Sequence, residues 1–250
     1  MRITKTKDRF SVEGEYVKPR LFLHENILAG KQDGFPSQEK PIAFLMGGGS
    51  ASGKSWLRKL ICEEQSELGN EFLIIDADEI KELLPEHSEL IQKYPEQAAS
   101  VLHDESSDIA SKLLDSSAQK SHNLIYDGTM KNYSKYHRII SLLKDYGYII
   151  RIVIADVDID EAIRRNDERF KATKRLVPKV ELINSHVRVA EVFLKLKDQV
   201  DEYLLYDTFD DYTVFAYKNV DEGEVFKNQA RLQVFLEKSN LKMIDGITSP

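Results

Sequence analysis

Eight residues, Gly48-Gly49-Ser50-Ala51-Ser52-Gly53-Lys54-Ser55, constrain this chain more than any others. They spell a glycine, four residues, then Gly-Lys-Ser, which is the P-loop spacing, and the flanks agree with it. Ile42-Ala43-Phe44-Leu45-Met46 is an unbroken apolar run suited to a parallel strand buried on both faces. After the loop, Trp56, Leu57, Leu60 and Ile61 recur at helical spacing. Strand, Gly-rich loop and helix start are the context the pattern requires. A Gly/Ser turn would match by accident on the order of once in a hundred chains of this length, and the flanks make an accident rarer still.

The spacing follows from the chemistry. Glycines let the backbone curl into a nest of N–H groups around a phosphate chain, where side chains would collide with it. A helix opening near Gly53 adds unpaired N–H groups and the positive end of its dipole. Lys54 then reaches the β- and γ-phosphates, and the Ser55 hydroxyl is placed to ligate Mg²⁺. The expected ligand is therefore ATP·Mg²⁺, with Gly48 through Trp56 around its phosphates.

With 250 residues and 42% hydrophobic content, the chain can bury one good α/β core. The organisation expected is an N-terminal extension over 1–40, a kinase-like core over 41–218, and a C-terminal helix and tail over 219–250. No apolar run is long enough to span a bilayer, and the start Met1-Arg2-Ile3-Thr4-Lys5 lacks a signal-peptide apolar region. Cys62 is the only cysteine, so no internal disulfide is possible, and the six histidines lack ligand-like spacing. These features point to a cytoplasmic protein. A net charge of −7 argues against nucleic-acid and anionic membrane partners. It also requires local positive charge for polyphosphate, and Arg164, Arg165, Arg169, Lys171, Lys174 and Arg175 form the best cluster.

Further strand-like runs end in acidic residues: Phe72–Ile75 before Asp76-Ala77-Asp78, Asn123–Tyr126 before Asp127-Gly128-Thr129, and Tyr148–Ala155 before Asp156. Tyr212–Tyr217 reads as the last strand. Tyr136, Ile139, Ile140 and Leu143 mark a packed helix, and Ile183, Val187, Ala190 and Leu194 mark another opening near Pro178. Pro19 is expected to begin a helix that packs on the nucleotide side, and Val220–Pro250 to hold one amphipathic helix and a loose end. Alternating strands and helices predict an α/β fold of the P-loop NTPase type: a doubly wound, mostly parallel sheet flanked by helices. Ligands bind such sheets at the carboxyl ends of the strands, which makes the acidic strand ends site candidates.

Asp78 follows the second strand, where a phosphotransferase needs a carboxylate to orient the accepting hydroxyl and take its proton. Asp76 or Asp78 equally fits the N-cap of the next helix, and both roles can hold through different aspartates. Asp127 is a Walker-B-like strand end able to hold Mg²⁺ directly or through water, although Asp-Gly is also an ordinary turn. Thr129 and Lys131, just beyond, are placed to contact substrate. Glu105 sits at the edge of an apolar helical stripe; taken alone it reads as a boundary residue reaching for solvent. Arg165 and Arg169 share a helix face, and Arg175 lies in a break before Val177-Pro178. Either they close over a triphosphate as a flap, or they belong to a solvated helix with Glu161–Arg165 and Asp160–Arg164 pairs.

Arg20 with Leu23-His24, the P-loop, Ile75-Asp76-Ala77-Asp78-Glu79, Glu105, Tyr126-Asp127-Gly128-Thr129, and Arg165 through Arg175-Leu176-Val177-Pro178 occur in that order. As an ordered set they resemble the zeta toxin family of P-loop kinases. That resemblance implies phosphorylation of a sugar hydroxyl of UDP-N-acetylglucosamine, with toxicity in bacteria when unrestrained and an antitoxin protein as a possible partner. It implies Asp78 as base, and Glu105, Asp127 and Thr129 lining the sugar pocket. Lys54, Arg165 and Arg175 would clamp the phosphates, with Arg164 or Arg169 as the alternatives to Arg165, since the arginine spacing varies in the family. Glu-Gly-Thr is frequent in the family where this chain has Asp127-Gly128-Thr129. Other readings of the same residues are a small P-loop kinase for a nucleotide, dinucleotide or drug hydroxyl, or a non-catalytic nucleotide-binding regulator.

Overall fold

A computed structural model describes residues 3–173 and 177–241. In chain order the elements are α1 (Thr6–Arg9), β1 (Ser11–Val12), β2 (Glu15–Tyr16), α2 (Lys18–Gln32), β3 (Ile42–Gly48), α3 (Lys54–Glu67), β4 (Leu73–Asp76), α4 (Ala77–Glu82), α5 (His87–Lys93), α6 (Pro95–Gln119), β5 (Leu124–Asp127), α7 (Tyr133–Asp145), β6 (Ile149–Asp156), α8 (Ile159–Thr173), α9 (Lys179–Leu196), β7 (Glu202–Asp207), β8 (Thr213–Asn219), β9 (Gly223–Phe226) and α10 (Gln229–Glu237). This is a mixed α/β protein with strands flanked by helices. The chain divides into two compact units. One groups residues up to Glu39 with Phe72–Tyr126; the other groups Lys40–Glu71 with the chain from Asp127 onward.

In the first unit, α6 is the axis. Pro95 opens it at a position where no backbone N–H is needed. Ala98, Val101, Leu102, Glu105, Ile109 and Leu113 recur on its buried face at three- and four-residue steps. Helices α1, α2, α4 and α5 pack against that axis. The helix expected from Pro19 forms as α2, and α6 is the partner it packs on within its unit. A short antiparallel hairpin, Ser11 opposite Tyr16, precedes it. Strands β4 and β5 are neighbours, and the Leu73 N–H donates to the Asn123 carbonyl at 2.9 Å.

In the second unit, β3, β6 and β7 lie side by side and parallel, with Ile42 opposite Ile149 and Arg151 opposite Glu202. Their near-continuous apolar runs reflect burial on both faces. One face of the sheet presents Phe44, Val153 and Leu204 to Ile61 of α3. On the other, Tyr203 meets Phe193 of α9 edge-on at 5.1 Å, and Phe193 meets Phe235 of α10 at 5.6 Å. Strands β8 and β9 then run antiparallel.

The acidic strand ends fall where the sequence predicts them, but three readings need correction. Strand β7 was not anticipated. The Tyr212–Tyr217 run is not the last strand, because Gly223–Phe226 pairs with it as an edge before α10. On α9, Val187 and Ala190 are buried as expected, but Leu194 is exposed and Phe193 and Leu196 are buried in its place. Among the described residues, no helix is long and apolar enough to cross a membrane.

Candidate active site

The P-loop belongs to the second unit, between β3 and α3. Gly53 caps α3 at a φ of 84°, a left-handed conformation that glycine adopts without a Cβ penalty. Its carbonyl receives the Trp56 and Leu57 N–H groups at 3.1 and 3.2 Å, which starts the helix. Gly49 is required for a different reason. A Cβ there would sit 2.3 Å from the His186 ring. His186 of α9 presses on the loop and donates from Nε2 to the Ser50 carbonyl at 3.0 Å. Its neighbour Ser185 accepts the Ser50 N–H on Oγ at 2.8 Å. Thr208, just past β7, donates to the Ser52 carbonyl at 2.6 Å. The Gly48 N–H donates to the Thr129 carbonyl at 3.3 Å. The loop's shape is thus fixed from α9, β7 and the Thr129 segment.

Lys54 makes an ion pair with Asp127, the last residue of β5, in close contact. One helical turn later, Arg58 donates from Nη1 to the other carboxylate oxygen of Asp127 at 2.9 Å. The Asp127 side chain is 3% exposed, so its charge is compensated by two cations on one helix face. Thr129 is half-buried and Lys131 exposed beyond it, while Ser55 and Trp56 are exposed in the first turn of α3.

Arg165 of α8 is tied to the same loop region. Its Nε donates to Glu161 at 2.7 Å, and its Nη2 donates to the Thr208 and Phe209 carbonyls at 2.6 and 3.2 Å. Its Nη1 lies 3.4 Å from where a Gly53 Cβ would be. Arg164 faces solvent and pairs with Glu161 and Glu168, not with Asp160 as expected. Arg164 and then Arg165 hold the Glu161 carboxyl at about 2. Arg169 donates to Asn166 at 3.2 Å. Arg175 lies outside the described residues, and the arginines that are described sit on a continuous helix.

Behind the loop is a charged centre that sequence reasoning left without a role. Asp156, ending β6, accepts from Arg231 at 2.7 Å and, on both oxygens, from Lys238 at 2.8 Å. The His186 Nδ1 stands 3.9 Å away. Burial pushes the Asp156 carboxyl up, but the His186 imidazole and the Lys238 and Arg231 charges outweigh it and hold it at about 2. The Lys238 amine is driven down, because its burial outweighs Asp156. Nothing local in the sequence marks Arg231 or Lys238, since their partner is some eighty residues away along the chain.

Asp78 and Glu105 belong to the first unit. Asp76 is the cap of α4, accepting the Asp78 N–H at 2.8 Å. That leaves the Asp78 carboxylate out of the capping role, 60% exposed and accepting from Lys81 at 2.6 Å. Glu105 is not the boundary residue that its stripe suggested. It is fully buried, accepting from Arg20 at 2.6 and 2.9 Å and sharing a 2.7 Å hydrogen bond with His24. Arg20 also forks onto Glu86 at 2.9 and 2.8 Å. Burial would raise the Glu105 carboxyl, but His24 and Arg20 hold it at about 2.

The donor set fits a magnesium ion rather than a protein-caged metal. Among the described residues no three His, Cys, Asp or Glu side chains gather to hold one. A hydroxyl at Ser55 and a carboxylate at Asp127 are what Mg²⁺ needs from protein when phosphates and water complete its shell.

A family model for Zeta toxin matches residues 25–230. The chain is 27% identical over 121 residues to Toxin PezT of Streptococcus pneumoniae, covering 48% of this chain and 47% of the relative. It is 26% identical over 224 residues to a calmodulin calcium-dependent NAD kinase of Arabidopsis thaliana, covering 69% of this chain and 41% of that one. The chain thus spans about half the length, or less, of these curated relatives. A structure from the PezAT chromosomal toxin-antitoxin system of Streptococcus pneumoniae superposes with a TM-score of 0.68 at 19% identity, over 90% of this chain and 97% of that chain, and so shares the fold.

Proposed function

The chain belongs to the zeta toxin family, and from that premise we propose that it is an ATP-dependent phosphotransferase acting on a hydroxyl of UDP-N-acetylglucosamine. The observation that carries the reading is the P-loop, held in shape by Ser185, His186 and Thr208, with Arg165 beside Gly53 and the loop's own Lys54 on Asp127. Lys54 leaves Asp127 for the β- and γ-phosphates, while Arg58 keeps the Asp127 charge compensated. Arg165 neutralises charge on the phosphates as transfer proceeds, and Arg175 joins it in the same role. Mg²⁺, held by Ser55 and Asp127, would supply further charge neutralisation on the phosphate oxygens.

Asp78 is the base. The acceptor oxygen attacks the γ-phosphorus as its proton passes to the Asp78 carboxylate; the bond to the β–γ bridging oxygen breaks and ADP departs. Asp127, Thr129 and Lys131 bind the sugar nucleotide. Glu105 is assigned to the same substrate, its carboxylate held by Arg20 and His24. An antitoxin protein that restrains the activity and a cytoplasmic location complete the proposal.

A phosphotransferase for a dinucleotide hydroxyl is the second reading, favoured by the likeness to the plant NAD kinase. Purified protein with ATP·Mg²⁺ and either UDP-N-acetylglucosamine or NAD, read by mass spectrometry, separates the two. One added phosphate on the sugar nucleotide alone is expected. Phosphate on NAD with none on the sugar nucleotide would keep the kinase and reject this substrate.

A further inference from the structure

A nucleotide whose phosphates lie in the P-loop must set its base down within one ribose of the start of α3. The surface there is aromatic. Trp56 stands in the first turn of α3 and is 51% exposed, although it is the only tryptophan in the chain. Tyr212 lies against it, ring centroids 4.1 Å apart and planes 32° off parallel. The Tyr212 hydroxyl is 3.4 Å from the Gly53 carbonyl, so the ring is fastened to the loop as well as to the indole. Tyr212 holds a φ of 50°, a left-handed conformation uncommon for a bulky side chain, so the site retains a backbone strain that a plain turn would shed. Phe209, in the same short segment after β7, is 56% exposed, and its carbonyl is taken by Arg165. Large apolar rings left in water beside a phosphate cradle point to a ligand with an aromatic face.

We propose that Trp56, backed by Tyr212, is a stacking platform for the nucleobase of the bound nucleoside triphosphate. The inference rests on the P-loop reading above and adds to it the means by which the base is held. Tyr212 supports the indole from one side, and Trp56 still keeps half its surface in water. Stacking recognises a π-face and is tolerant of which base provides it. The platform therefore favours purines for their larger face, and it holds ATP and GTP with affinities within a few-fold of each other.

Because Trp56 is the single tryptophan, its fluorescence reports the contact directly. The wild-type protein with Mg²⁺ is titrated with ATP, GTP and inorganic tripolyphosphate, with binding followed in parallel by calorimetry. ATP and GTP should quench the emission to saturation. Tripolyphosphate should bind about ten-fold more weakly than ATP and leave the emission unchanged. In Trp56→Ala, the preference for ATP over tripolyphosphate should fall about ten-fold, and Tyr212→Ala should reduce it in the same direction. ATP binding without quenching, equal quenching by tripolyphosphate, or an undiminished preference in Trp56→Ala would each overturn the platform while leaving the P-loop reading intact. Failure of both ATP and tripolyphosphate to bind the wild-type protein would overturn the P-loop reading, and the platform with it.

Discussion

Lys54 faces a carboxylate in this structure and, in the proposed reaction, a triphosphate. Lys54→Ala removes a charge-assisted contact to the β/γ-phosphates, and turnover should fall 10² or more, about 3 kcal/mol. The two aspartates after β4 can be told apart in the same assay. Asp78→Asn keeps shape and loses basicity, which should cost about 10²–10⁴ in rate with nucleotide affinity nearly unchanged. Asp76→Ala removes the α4 cap and should cost about 1 kcal/mol of stability, read by urea denaturation. Loss of transfer in Asp76→Asn with Asp78→Asn spared would reverse the assignment. At this scale the sequence was informative where chemistry is local. The glycines, Lys54 and Asp127 announce themselves by spacing. His186, Ser185 and Thr208 do not, because they act on the loop through space from α9 and from behind β7.

Elements carry the loop's shape, so a change on one side should be answered from the other. Gly49→Ala drives a Cβ into the His186 ring and should weaken ATP binding by about ten-fold or more. Adding His186→Ala relieves the clash, so the double variant should bind no worse than His186→Ala alone. Simple additivity in calorimetry would mean that the contact does not shape the loop. The strands missed by sequence reading share a cause. In β9, Gly223–Phe226, only Val225 is even half-buried, so no alternation marks it; pairing with β8 makes it a strand. Strand β7, Glu202–Asp207, is flanked by acidic residues on both sides, and its identity comes from lying beside β6. Antiparallel β8 could not be told from a parallel strand by its own residues, because direction is set by the partner.

Over the whole molecule, each unit encloses a carboxylate held by cations: Glu105 in the first and Asp156 in the second. Both are held at about 2, below their ordinary values of 4.5 and 3.8. Their contribution to stability is therefore complete above those ordinary values and is lost as pH falls toward about 2. Denaturant midpoints should be steady near neutrality and drop steeply below about pH 4.5. Glu105→Gln leaves Arg20 short of a buried charge partner and should cost about 3 kcal/mol at neutral pH, with a shallower acid limb.

The most direct measurement follows the γ-phosphoryl group itself. Protein is incubated with ATP labelled at the γ-phosphate, Mg²⁺ and UDP-N-acetylglucosamine, and the label is traced alongside ADP. Label in the sugar nucleotide, matched one for one by ADP and abolished in Lys54→Ala, is the expected result. Label that reaches no hydroxyl acceptor, or transfer that survives Lys54→Ala undiminished, would contradict it.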